Sequence, residues 1–232
     1  ISTPMVTTIH GFSSRNILPV YKKYNNSSFY VSISNSDRSP ELSYIATVYN
    51  GITTREFKFN PEPKDSLLFF GRIHPDKGTY EAIQIAKKSQ RKLIISGLIQ
   101  DEKYFKEKVK PFINNDDIIY VGNSNPDERN NLLGEAYALL HPVNFAEPFG
   151  LSVAESMLCG TPVIAFNKGS MPELILNNKT GIIVNSVEEA VEAVNNIKLI
   201  ERGYCRKWAL SKFSSEQMIE GYLEVYRKIL NK

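Results

Sequence analysis

The sequence predicts an α/β fold: a Rossmann-like parallel sheet flanked by helices. Three observations predict it. From residue 67 onward, apolar runs of strand length recur at 67–70, 93–95, 118–121, 138–140, 163–166 and 182–184, each bounded by Gly, Pro, Asn or His. Amphipathic stretches of helix length stand between them. Several of those stretches carry their own capping residues. Repeated strand–helix–strand units need crossover connections, which makes the strands parallel, covers both faces of the sheet and joins them right-handedly.

The elements follow in order. Residues 5–9, 29–33 and 45–48 read as strands, with a helix candidate at 14–24. Three strands and one helix bury too little surface to stand alone. Residues 1–48 are therefore expected to be the tail of another, truncated N-terminal Rossmann-like domain. The chain opens on Ile1 and enters a strand almost at once, as expected of a chain that begins partway into a domain. Residues 49–63, with Asn60-Pro61-Glu62-Pro63, read as a hinge or linker. The main domain spans 64–213. Its helix at 79–89 places Ala82, Ile83 and Ala86 on one face, and that at 101–112 places Phe105, Val109 and Phe112. A helix over 127–137 follows Pro126, a first-turn residue. Residues 151–158 read as helix, stopped by Gly160 and Pro162. Ser186 with Glu189 marks the start of a helix to residue 200. Residues 214–232 form a last unit, whose helix to residue 230 is capped by Ser214 and repeats apolar pairs such as Tyr222/Leu223 and Ile229/Leu230.

Hydrophobic residues make up 42% and charged residues 23%, as in ordinary globular proteins. A net charge of +3 is mild: it argues neither for a nucleic-acid binder nor for a polybasic membrane anchor, and it suits an anionic ligand. No apolar run approaches the roughly 18 residues that span a bilayer. Cys159 and Cys205 lack metal-ligand spacing and read as inert thiols of a reduced, cytoplasmic compartment.

The chemistry concentrates in Glu147-Pro148-Phe149-Gly150-Leu151-Ser152-Val153-Ala154-Glu155. Pro148 and Gly150 shape a turn at a strand's carboxyl edge, where ligands of open sheets bind. The amides of Leu151 and Ser152 open the next helix and suit a phosphate. Glu155 shares the first-turn face with Leu151, and a carboxylate there can accept two hydrogen bonds from a ribose diol. Glu147 can reach the other side of the bound phosphate. Two carboxylates would repel a diphosphate, so they are expected to meet sugar hydroxyls at both ends of a nucleotide-sugar. Cations for the diphosphate stand in Gly71-Arg72-Ile73-His74-Pro75-Asp76-Lys77-Gly78, directly after the 67–70 strand, with Gly71 and Gly78 as hinges.

These segments, with Gly160-Thr161-Pro162-Val163-Ile164-Ala165, resemble the C-terminal domain of retaining glycosyltransferases of family 4, which have the two-domain GT-B fold. The resemblance covers about residues 45–230. It implies that Arg72 and Lys77 bind the donor diphosphate and stabilise it as leaving group. It implies Glu147 at the donor sugar, Glu155 at the ribose, and the backbone of Gly71, Phe149, Gly150, Leu151 and Ser152 around sugar and phosphate. Gly122 and Asn123 would lie near the base. His10, in Thr8-Ile9-His10-Gly11, would face the reaction centre. His74 and His141 read as structural, and Glu173 as a first-turn helix charge.

The resemblance further implies a UDP- or GDP-linked sugar as substrate, no cofactor, and no metal, since no Asp-x-Asp motif is present. The acceptor would be a carbohydrate or lipid-linked hydroxyl, with no nucleic acid, and with peripheral contact at the inner face of the membrane through the missing N-terminal domain. The final helix would cross back to that domain. Two alternatives stay open: a nucleotide-sugar-binding fragment inactive without its N-terminal half, and a GT-B-fold epimerase or phosphorylase. One departure is Gly169-Ser170, where the family often has two glycines. Ser170 can serve a ligand through its amide only if its backbone avoids the angles reserved for glycine.

Overall fold

The structure is a computed structural model and describes residues 3–11 and 16–231. Strands β1 (Val6–Ile9), β2 (Phe29–Ser32) and β3 (Tyr44–Thr47) form a small parallel sheet in that order. Helix α1 (Leu18–Tyr24) joins β1 to β2. The helix start expected at Ser14 lies outside the described residues.

The second sheet holds β4 (Leu67–Phe70), β5 (Leu93–Ser96), β6 (Ile118–Tyr120), β7 (Ala138–His141), β8 (Val163–Phe166) and β9 (Gly181–Val184). All neighbours are parallel, in the order β6-β5-β4-β7-β8-β9. Each strand matches its expected run to within one residue. The chain builds outward from β4 in one direction, then returns to add β7 on the other side. The loops leaving β4 and β7 therefore diverge, and this switch point opens a crevice at the sheet's carboxyl edge. β7 and β8 are buried along their whole length, as parallel strands sandwiched between helix layers must be.

The covering helices are α2 (Thr79–Lys88), α3 (Glu102–Tyr104), α4 (Pro126–Glu135), α5 (Leu151–Leu158), α6 (Met171–Leu174), α7 (Val187–Asn196), α8 (Arg202–Phe213) and α9 (Ser215–Leu230). Three findings differ from the sequence expectation. The helix expected over 101–112 is one α turn, then a π stretch (Phe105–Val109) and a 3-10 turn (Lys110–Phe112). Pro111 has no N–H to continue an α ladder, and Phe105 and Phe112 turn to the rings of Tyr120 and Tyr80. Helices α6 and α8 carry no strong periodic signal. The buried stripe of α8 is Cys205, Ala209 and Phe213, two of them small, and it packs along α5. Residues 49–63 are anchored rather than loose, because Ile52 and Phe57 are buried in the main core and Ile52 bridges to Ser214.

Helix α9 returns to the small sheet. Val225 and Ile229 pack on Val31 and Val48, and the Tyr222 hydroxyl lies 2.7 Å from Thr8 Oγ1. Both cysteines are free and buried, and burial pushes each thiol up to about 12. Such thiols are poor nucleophiles.

Candidate active site

A cavity of about 500 Å³ opens at the switch point, facing the small sheet. His10, Gly71, Arg72, Lys77, Glu147, Phe149, Gly150, Leu151, Ser152 and Glu155 all line it. The volume is that of an ordinary small-molecule site. Gly122 and Asn123 do not line it. The Gly122 carbonyl accepts hydrogen bonds from Gly97 N (2.8 Å) and Ser96 Oγ (3.2 Å), which ties the β6 loop to the β5 loop.

The loop after β4 is held in shape by its neighbours. His74 Nδ1 accepts from Asp76 N at 3.2 Å, and Asn144 N donates to the Asp76 carbonyl at 2.7 Å. Of the two glycines at its ends, only Gly78 has a positive φ. Arg72 is exposed and donates to Gln100 Oε1 at 2.6 Å. Lys77 turns inward, over the Phe145 ring. Its Nζ donates to both carboxylate oxygens of Glu147, at 2.7 and 2.6 Å, and both side chains are largely buried. His141, the last residue of β7, places Nε2 3.4 Å from Glu147 Oε2, without hydrogen-bond geometry. Burial alone would raise the Glu147 carboxyl. His141 and Lys77 outweigh it and hold the group down at about 2.

The turn into α5 depends on two glycines. Gly150 sits at φ +91°, and a β-carbon there would lie 2.8 Å from Met171 Cε. Gly169 sits at φ +56°, and a β-carbon would lie 2.3 Å from the Glu147 backbone N and O. The loop after β8 thus presses directly on the backbone that carries Glu147. Ser170 needs no glycine: its φ of −78° is right-handed. Its hydroxyl donates to the Phe149 carbonyl at 2.7 Å and its amide to the Glu147 carbonyl at 2.9 Å. The backbone condition for its amide to serve a ligand is met, but that amide is spent on the Glu147 carbonyl. The Phe149 ring is also spent, buried between Tyr49 and Phe213, so only its backbone can meet a ligand.

Glu155 faces Arg129, with Oε1 3.3 Å from Nη1, and Arg129 also lies 3.6 Å from Glu56. Burial raises the Glu155 carboxyl; Arg129 pulls it down and Glu56 pushes it further up, and the balance stays above the usual range. Glu173 is more than a helix charge. Its carboxylate accepts from Asn35 N and Ser36 N (both 2.8 Å), Asn35 Nδ2 (3.1 Å) and the Tyr49 hydroxyl (3.1 Å), which joins α6 to the loop after β2. Sequence reasoning missed Arg129 and the role of Glu173, because their partners lie 26 and about 138 residues away. His141 had one usable signal, its place at the carboxyl end of a central strand.

A family model described as glycosyl transferases group 1 matches residues 52–210. The chain is 29% identical over 170 residues to an uncharacterised 41.2 kDa protein in the cps region of Klebsiella pneumoniae, covering 71% of this chain and 46% of that protein. It is 25% identical over 221 residues to lipopolysaccharide 1,2-N-acetylglucosaminetransferase of Salmonella typhimurium, covering 81% and 58%. Among solved structures, sucrose-phosphate synthase from Thermosynechococcus elongatus superposes with a TM-score of 0.82 at 19% identity, covering 97% of this chain and 68% of the other. The Anabaena protein HepE, solved with UDP and glucose, superposes with a TM-score of 0.80 at 19% identity, covering 97% and 71%. The chain spans about half the length of the curated relatives it matches.

Proposed function

The chain belongs to the group 1 glycosyl transferases and has the Rossmann-like α/β fold of GT-B enzymes, and from that premise we propose that it binds the donor of a retaining, metal-independent family 4 hexosyltransferase. The donor is a UDP- or GDP-linked sugar, and the acceptor a carbohydrate or lipid-linked hydroxyl. One observation carries this reading: two cations, two carboxylates and an open helix N-terminus converge on one cavity. The names of HepE's ligands and of the lipopolysaccharide relative support it.

In this reading Arg72 and Lys77 take the diphosphate, with the Leu151 and Ser152 amides adding partial positive charge. The transition state is oxocarbenium-like, and negative charge grows on the leaving phosphate. Fixed donors aimed at that charge lower the barrier. Glu147 accepts from the sugar hydroxyls and Glu155 from the ribose. His10 faces the reaction centre from the small sheet. With retention, the departing phosphate oxygen takes the acceptor's proton, so no separate base is assigned. Action at the inner face of the cytoplasmic membrane belongs to the same proposal. Among the described residues no helix is long and apolar enough to cross a membrane.

The span of about half its relatives' length favours a second reading, in which this chain binds the donor but transfers nothing alone. Calorimetric titration of UDP, GDP and ADP into this chain and its Glu155→Ala variant tests the donor assignment. One nucleotide is expected to bind selectively, with the substitution weakening it by about tenfold or more. Equal affinities in both proteins would remove Glu155 from the site. A transfer assay with the matching nucleotide-sugar then separates binding from turnover.

A further inference from the structure

We propose that His141 is a positioning residue: it takes hold of Glu147 when Lys77 turns from that carboxylate to the donor's diphosphate. The proposal rests on the donor-binding reading above. Lys77 has one charge and two claims on it. In the structure it is bound through both oxygens of Glu147. A diphosphate in the cavity competes for the same ammonium. Glu147 is largely buried, and a buried carboxylate left without a charged or protein partner is disfavoured. The sugar hydroxyls are neutral donors and replace only part of what Lys77 supplied, so a second protein donor beside the carboxylate holds it in place as Lys77 leaves.

Among the described residues, the side chains against the Glu147 carboxylate are Lys77 and His141. Arg72 lines the cavity but is held by Gln100. The contacts from Gly169 and Ser170 reach only the Glu147 backbone. His141 is 6% exposed, and its Nε2 is buried without a hydrogen-bond partner. Buried polar atoms are rarely left so without a reason. At 3.4 Å from Oε2, a shift of about 0.5 Å with a small rotation brings Nε2–H to bonding distance. The unpartnered nitrogen is then the acceptor's next donor. Its strand-end position keeps it rigid while the Lys77 stem swings. Glu147 stays ionised and aimed at the sugar throughout.

The test has two arms. In the first, the Glu147 carboxyl carbon is followed by NMR across pH, without donor, in Lys77→Met, Lys77→Met/His141→Phe and Lys77→Met/His141→Gln. Lys77→Met is expected to keep the carboxyl below the usual carboxylate range. Adding His141→Phe should raise its midpoint by about one pH unit or more, and His141→Gln, which retains a donor amide, should reverse part of that rise. In the second arm, calorimetry compares nucleotide-sugar with nucleotide diphosphate. His141→Phe should weaken the nucleotide-sugar by about tenfold and leave the diphosphate within about twofold, with partial rescue by His141→Gln. Identical titrations with and without His141 would overturn the proposal, as would equal loss of both ligands. If the wild type binds no nucleotide, the donor reading falls; the first arm needs no ligand and still decides whether His141 holds Glu147.

Discussion

Glu147 and Glu155 carry the same side chain, eight positions apart, in opposite electrostatic settings. Both are buried, which raises both. His141 and Lys77 then drive Glu147 down to about 2, whereas Arg129, shared with Glu56, does not bring Glu155 back to its usual range. The Glu147 shift has a consequence for stability. Its folded value lies below the ordinary 4.5, so its contribution is fully present above about pH 4.5 and is lost as pH falls through 2. Urea unfolding of the wild type and Glu147→Gln should show the wild type more stable by about 3 kcal/mol at pH 6, since the substitution leaves Lys77 buried and unpaired. The gap should narrow steadily from pH 4.5 toward 2. A gap that stays constant with pH would mean the carboxyl titrates normally in the folded protein.

At the scale of elements, the site is a helix start pressed between two loops. α5 begins at Gly150, and its approach is set by the packing of Gly169 against the Glu147 backbone. Gly169→Ala meets both a left-handed φ and a backbone collision, and should cost roughly 2–4 kcal/mol. Because the collision is with Glu147 itself, donor binding should weaken alongside the melting temperature. Ser170→Gly is the informative control. It keeps the backbone path, loses the hydroxyl bond to Phe149, and should cost about 1 kcal/mol with donor affinity nearly intact. Thermal melts paired with calorimetry check both. If Gly169→Ala matched the wild type in both measurements, the close approach would not matter to the site. The element boundaries themselves were largely legible. Strand runs such as 67–70 and 163–166 need only local apolar length and a flanking turn. Helix α8 was not legible, because Cys205 and Ala209 bury little area and Arg202 and Arg206 anchor it instead through carbonyls of distant segments.

For the whole molecule, the contacts that join the small-sheet segment to the main domain among the described residues include α9 on the small sheet, Ile33 in the main core, the ring cluster of Tyr49, Phe149 and Phe213, and the Glu173 carboxylate. Glu173 meets only donors, so Glu173→Gln must turn an amide toward one or more of them. Hydrogen exchange at Asn35 and Ser36 should quicken by about tenfold, while core amides of β4 and β7 stay protected. Unchanged exchange at both positions would show that the other contacts suffice. Local chemistry written in the sequence determined much of this protein: the alternation of strands and helices, the capped starts, the turn at Gly150, and the types of charged residue available for a site. These follow from periodicity and turn preference, which act over a few residues. Only the tertiary structure decided that Lys77 spends its charge on Glu147, 70 residues away, that His141 stands beside that pair, and that Arg129 serves two carboxylates. Such pairings depend on strand order. β4 and β7 are neighbours only because the chain reverses its direction of growth, and that reversal is settled by packing the whole sheet.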